Sequence, residues 1–271
     1  MLEGKAMSKT RLEFRDVTKR FANKSQHSTE PFVTAVQHVD FAIKEGEVVS
    51  IIGPSGCGKS TLLNMGSGLD APSEGQVFID GQPVTGPSEH VAFMLQKDLL
   101  LPWRSIRENV ELGLEIRGIA AEQRREKALD LLKKCHLGGF ENHYPHQLSG
   151  GMRQRAAMAR TLAVDPTVLL MDEPFSALDA QTKMVLQQDL ARTLKEANKT
   201  ALFITHDLVE AVALSDRVLV MSQRPGTIIQ EFVIDLANRD DPMARRGDPG
   251  IAHYVPELMK LLHIGESGAK V

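Results

Sequence analysis

Apolar and polar residues alternate along Arg11–Val17, the period of a strand with one buried face. The polar stretch Ala22–Pro31 reads as a loop leading to a second strand near Val39–Ile43. Elsewhere the apolar residues come in short runs between turn residues: Glu47–Ile52, Gln76–Asp80, Val91–Leu95, Val168–Asp172, Ala201–Thr205 and Arg217–Met221. Runs of that length suit buried strands, and helical patterns lie between several of them. This alternation predicts an α/β fold with a largely parallel central sheet. Residues 97–164 lack strand signals and read as helices. Ser105-Ile-Arg-Glu108 is a capping box, in which the Ser hydroxyl and the Glu three residues on satisfy orphan amides. A helix from Ser105 towards Arg117 is expected, ended by Gly118, and a second, charged one over Glu122–Cys135. Met1–Lys9 reads as a loose leader. Beyond Gln223 the pattern weakens, with Val255–Leu262 as a short tail helix.

Composition narrows the class. A chain of 271 residues, 42% apolar and 25% charged, suits one large soluble domain or a domain with an inserted subdomain. A net charge of -3 argues against a general nucleic-acid binder. No run approaches the roughly 18 to 20 apolar residues that cross a bilayer. The polar N-terminus, charged through Arg20, predicts no signal peptide. Any membrane role is therefore expected through a partner chain. Two cysteines, Cys57 and Cys135, make no disulfide framework and read as reduced thiols.

Gly53-Pro-Ser-Gly-Cys-Gly-Lys-Ser60 matches the phosphate-binding P-loop and directly follows a buried strand. Gly53, Pro54, Ser55, Gly56, Cys57 and Gly58 form a loop whose amides turn inward around nucleotide phosphates, and Lys59 adds a positive point charge. The Ser60 hydroxyl suits Mg²⁺, and Thr61 continues the phosphate-binding set as the next helix aims its N-terminus at the phosphates. Val168-Leu-Leu-Met-Asp172-Glu173 is an apolar strand ending in two carboxylates. Asp172 is expected on the magnesium side of the phosphates, and Glu173 is placed to polarise the attacking water. ATP and Mg²⁺ are thus the expected ligands.

Leu148-Ser-Gly-Gly-Met-Arg-Gln-Arg155 resembles the signature sequence of the ABC ATPase family. Ser149 caps a helix beginning at Gly150 or Gly151, and the glycines permit close approach to an anion. The resemblance implies that this helix end faces the γ-phosphate of ATP held by the opposite subunit of a homodimer. It also implies that Gln96 is the Q-loop residue, touching Mg²⁺ and the attacking water, and that Asp179 of Ser176-Ala-Leu-Asp179 builds the dimer interface. His206, followed by Asp207 and a helical Glu210-Ala, resembles the switch histidine that contacts the γ-phosphate. Phe21 sits where the family stacks an aromatic ring on adenine, with Phe32 as a second candidate. Met152 departs from the Gln that many members carry. The resemblance covers about Arg11 to Val233 and implies a RecA-like P-loop NTPase core with a mainly parallel sheet, an antiparallel β edge and an inserted helical subdomain. The expected divisions are 11–96 and 164–233 for the core, 97–163 for the helical subdomain and 234–271 for the tail.

Leu99-Leu-Leu-Pro-Trp103 and Tyr144-Pro-His-Gln-Leu148 resemble the nitrate, sulfonate and taurine branch of bacterial importers. That branch implies a peripheral subunit on the cytoplasmic face of the inner membrane, docked on integral permease subunits and served indirectly by a solute-binding protein. Trp103 is either a docking contact or an anchor of the helical subdomain. His136, His143 and His146 lack an accompanying Cys or carboxylate pattern and read as a solvated loop rather than a metal site. The competing readings are a soluble ABC ATPase acting on nucleic acid or ribosomes, and a catalytically silent scaffold. The absence of a basic stripe, and the set Lys59, Asp172, Glu173 and His206, weigh against them.

Overall fold

A computed structural model describes residues 9–23 and 30–264. The expected leader, apart from Lys9, and residues 24–29 of the expected loop lie outside the described residues. Strand β1 (Thr10–Ala22) pairs antiparallel with β2 (Phe32–Lys44), and both exceed the runs that alternation marks. Register shifts after Phe14, Val17 and Lys19 explain this: each bulge restarts the in–out pattern, so the period of two breaks while pairing continues. Strand β3 (Val48–Ile52) is buried along its whole length and leads through the P-loop into α1 (Lys59–Gly66). The antiparallel sheet is completed by β4 (Glu74–Ile79) and the two-residue β5 (Gln82–Pro83), in the order β2-β1-β4-β5.

The central sheet takes β6 (Val91–Met94), then three helices intervene: α2 (Ile106–Ile116), α3 (Ala121–Lys134) and α4 (Gly150–Ala163). The chain returns as β7 (Val168–Asp172), α5 (Ala180–Glu196), β8 (Thr200–Ile204), α6 (Leu208–Leu214), β9 (Arg217–Met221) and β10 (Ile228–Val233). The order is β10-β9-β3-β8-β7-β6, parallel except for β10, which pairs antiparallel with β9. Strand β10 escapes periodicity because it is an edge strand whose six residues stay exposed or half-buried. The tail folds as α7 (Pro242–Arg246) and α8 (Ile251–Leu261), the latter starting four residues before the expected Val255.

Four apolar clusters hold this arrangement. Phe14, Val36, Ile51, Leu62 and Leu170 join the antiparallel sheet and α1 to one face of the central sheet. Leu169, Phe203 and Leu190 join the opposite face to α5. Ile106, Val110, Leu132 and Ala159 make a separate core within α2, α3 and α4. Val212, Val218 and Leu258 bind α6 and α8 to the sheet. The Ser105–Glu108 capping box is present in both directions, with the Glu108 amide donating to Ser105 Oγ at 3.2 Å and the Ser105 amide to Glu108 Oε2 at 2.8 Å. No described helix is long and apolar enough to cross a membrane.

Candidate nucleotide site

The C-terminal ends of β3 and β7 lie on either side of β8, in one sheet, so the loops that follow them open on one side of it. That is where an open α/β sheet binds ligands. An open cleft of about 610 Å³ lies there, lined by the P-loop residues Ser55, Gly56 and Gly58–Thr61, by Gln96, Asp172 and Glu173, and by Phe21. Gly58 has φ +106°, and a Cβ there would lie 2.4 Å from Val36 Cγ1, so the loop can turn this tightly only with glycine. Lys59 Nζ donates to the carbonyls of Gly53 and Pro54, both at 2.8 Å, which holds the ammonium against its own loop. Cys57 is a loop residue, as expected, but it is buried with its Sγ 3.9 Å from that ammonium. Cys135 is buried too, and burial pushes its thiol up to about 12, so it carries no reactive thiolate.

The acidic pair divides its work by position. Asp172 is the last residue of β7, and burial raises its carboxyl above the usual aspartate range, while a hydrogen bond from Ser60 pulls the other way. Glu173 leaves the strand at φ +50°, a left-handed conformation that costs a non-glycine residue about 1 to 2 kcal/mol. Its amide donates to the Ile204 carbonyl of the neighbouring strand at 3.0 Å, which holds the turn in place. The carboxylate accepts from Gln96 Nε2 at 3.2 Å and lies 3.7 Å from His206 Nδ1. Gln96, Glu173 and His206 thus meet although they follow three different strands. The oxygen donors Ser60, Asp172 and Gln96 in one cleft suit a hard cation such as Mg²⁺. Among the described residues no group of three or more His, Cys, Asp or Glu could hold a metal alone, His136, His143 and His146 included.

The signature residues stand elsewhere. Ser149 caps α4, its hydroxyl accepting from the Met152 amide at 3.3 Å, and the helix begins at Gly150. Neither Ser149 nor Gly150 and Gly151 line the P-loop cleft. Gly150 instead borders a second cleft, of about 470 Å³, with Gln96–Leu100 and Arg153. A Cβ on Gly151 would lie 3.2 Å from Leu178, so the signature packs against the D-loop. Asp179 caps α5, accepting from the Thr182 amide at 3.0 Å, a bond that lowers its carboxyl below the usual range. The segment after Gln96 is tied to α4: Arg153 Nε donates to Asp98 Oδ2 at 2.9 Å, and Arg160 to the carbonyls of Asp98 and Leu99 at 2.6 and 2.8 Å. Buried Asn109 adds bonds to the amide and carbonyl of Leu101, at 2.7 and 3.1 Å. Trp103, on this braced turn, is 72% exposed, so it does not anchor the helical subdomain. Of the two aromatic candidates, Phe21 lines the P-loop cleft and Phe32 does not.

Arg224 is a cleft residue that sequence reasoning missed. Its guanidinium donates to the Gly56 carbonyl at 3.0 and 3.2 Å. The next two residues are a Pro-Gly pair, a turn signal legible in the sequence. That the turn folds against the P-loop, where a Cβ on Gly226 would lie 2.0 Å from the Cys57 carbonyl oxygen, is a tertiary fact.

The sequence profile of the ABC transporter family matches residues 36–176. The chain is 52% identical over 201 residues to an uncharacterized ABC transporter ATP-binding protein of Bacillus subtilis, YtlC, covering 74% of this chain and 77% of the relative. It is 46% identical over 205 residues to the taurine import ATP-binding protein TauB of Yersinia pestis, covering 76% and 80%. Among solved structures it resembles a dimeric bacterial ABC transporter cassette, with a TM-score of 0.76 at 36% identity, covering 83% of this chain and 99% of that one. A post-hydrolysis dimer of an ATP-binding cassette holding ADP and phosphate gives a TM-score of 0.75, also at 36% identity and the same coverage.

Proposed function

The chain belongs to the ABC transporter family of ATP-hydrolysing subunits, and from that premise we propose that two copies close head to tail on two ATP molecules beneath a membrane permease. The observation that carries this is the division of the site. The P-loop cleft gathers Lys59, Ser60, Gln96, Asp172 and Glu173, while Ser149 and Gly150 present a capped helix start on another surface. A helix start with free amides attracts a phosphate, and a second copy turned head to tail supplies one.

In this mechanism Glu173 takes the proton of the attacking water, and Gln96, bonded to the same carboxylate, orients that water. Lys59 and His206 offset charge on the transferring phosphoryl group. Lys59 exchanges its bonds to Gly53 and Pro54 for phosphate oxygens. Ser60 and Asp172 would hold Mg²⁺, with Gln96 beside them; when bound, it neutralises charge on the phosphates. Phe21, half-exposed in the cleft, stacks on the adenine.

Trp103 is the proposed permease contact, an exposed aromatic on a braced turn. Arg153 and Arg160 connect that turn to the signature helix, so closure of the dimer moves both together. The taurine import relative favours uptake of a small sulfonate- or nitrate-like anion, delivered by a solute-binding protein. The chain then works as a peripheral subunit on the cytoplasmic face of a bacterial inner membrane. The test is a mild-detergent pull-down from native membranes. Recovery of a polytopic permease at near one-to-one ratio is expected. Recovery of only soluble or nucleic-acid partners from intact membranes would replace this reading with the soluble ATPase.

A further inference from the structure

Helix α6 begins two residues after His206, and both of its ends are held by the tail. Arg245 is buried, and its guanidinium donates to the carbonyl of Ser215, just past the end of α6, at 2.7 Å. The same side chain bonds the Leu236 and Ala237 carbonyls at 2.5 and 3.0 Å, so it joins the tail to the helix end. Arg246, the next residue, reaches the other end through a chain of polar contacts. It donates to Gln187 Oε1 at 2.8 Å, and Gln187 Nε2 donates to Glu210 Oε2 at 2.8 Å. Lys183 bridges Glu210 at 2.6 Å and Asp207 at 2.8 Å. Asp207 caps α6 by accepting from the Glu210 amide at 3.0 Å.

Direction matters in this chain. Gln187 is fully buried, and its amide has one acceptor and one donor end. Arg246 requires the oxygen and Glu210 requires the nitrogen, so each contact enforces the other. Loss of Arg246 leaves a buried amide oxygen without its donor and frees the amide to turn away from Glu210. Glu210 then competes differently for Lys183, which is the partner that steadies Asp207. The His206 ring itself is largely exposed, so its position depends on the backbone of this turn.

We infer that α7 is a positioning element for His206, with Arg245 and Arg246 setting the helix that carries the histidine's turn. The inference rests on the reading of His206 as a phosphoryl-charge contact. The experiment compares the full chain with Arg246→Ala, Arg246→Lys and His206→Ala. ATP turnover, KM for ATP and amide exchange over residues 206–211 are the readouts. Arg246→Ala is expected to lower kcat by about fivefold, the equivalent of one lost hydrogen bond, with KM within about twofold of the parent. Exchange at 206–211 should accelerate while the P-loop amides keep their protection, and Arg246→Lys should recover most of the turnover. Gln187→Leu breaks the same chain from α5 and should reproduce both effects if Arg246→Ala folds poorly. Unchanged kcat in Arg246→Ala, with or without faster exchange, overturns the positioning role. Near-normal turnover in His206→Ala would instead remove the role assigned to His206, whatever Arg246→Ala does.

Discussion

Gln96 and Glu173, 77 residues apart, meet in a hydrogen bond of 3.2 Å from the Gln amide to the Glu carboxylate. Gln96 follows β6 and leads directly into the turn that carries Trp103, while Glu173 follows the strand paired with β6. One bond therefore joins the proposed base to the segment proposed to sense the permease. Glu173 makes this bond from a left-handed backbone conformation, a local strain held beside the proposed site.

Replacing Glu173 by Gln keeps size and backbone but removes the proposed proton acceptor. ATP hydrolysis should fall by about 10²-fold or more, and ATP should hold the protein as a dimer in gel filtration. Near-normal turnover would place the base elsewhere.

Arg224→Ala removes the guanidinium that bonds the Gly56 carbonyl and leaves the phosphate loop less organised before binding. KM for ATP should rise about three- to tenfold with kcat little changed, read from steady-state hydrolysis. An unchanged KM would make Arg224 a bystander on the cleft rim.

At Gly226 a methyl group would sit 2.0 Å from the Cys57 carbonyl oxygen and 2.7 Å from Met221 Cε. Backbone cannot give way as a flexible side chain does. Gly226→Ala should cost about 1 to 3 kcal/mol of stability, measured by urea unfolding. Wild-type stability would show that the turn can withdraw from the P-loop.

Burial pushes the Asp207 carboxyl up, but Lys183 and the Glu210 amide outweigh it and leave the group below the usual aspartate range. A carboxyl lowered on folding stabilises the protein fully above its unfolded value, about 3.9, and less as pH falls through the folded value. The stability gap between the parent and Asp207→Asn should therefore be widest near neutrality and close below about pH 4. Urea melts across that range test this, and a gap that widens in acid would contradict it.

The residues proposed to bind phosphate are legible in the sequence because their geometry is local. Gly53–Ser60 needs only a strand before it and a helix after it, and β3 and α1 are both signalled by short-range pattern. Ser149 and Ser105 announce their helices by cap chemistry alone. What escaped depends on contacts between distant segments. Arg224 joins the P-loop across 168 residues, and no period or spacing reports that. The sequence pattern marks the tail only as a short helix, because Arg245 and Arg246 look like surface charge until α6 is folded beneath them. Alternation marks only part of β1 and β2, because their bulges scramble the period that identifies a strand.

In the proposed head-to-tail dimer, the placement of Ser149 away from the cleft that holds Lys59 would make the two halves of the reaction centre separable by genetics. A copy damaged at Ser149 still owns an intact phosphate loop, and a copy damaged at Lys59 still owns an intact signature. Each should be inactive when paired with itself. Mixed, they should assemble one composite centre carrying both lesions and one carrying neither. Two inactive preparations should thus complement each other in the same tube, and a defective allele should poison a sound one only as far as the two copies pair.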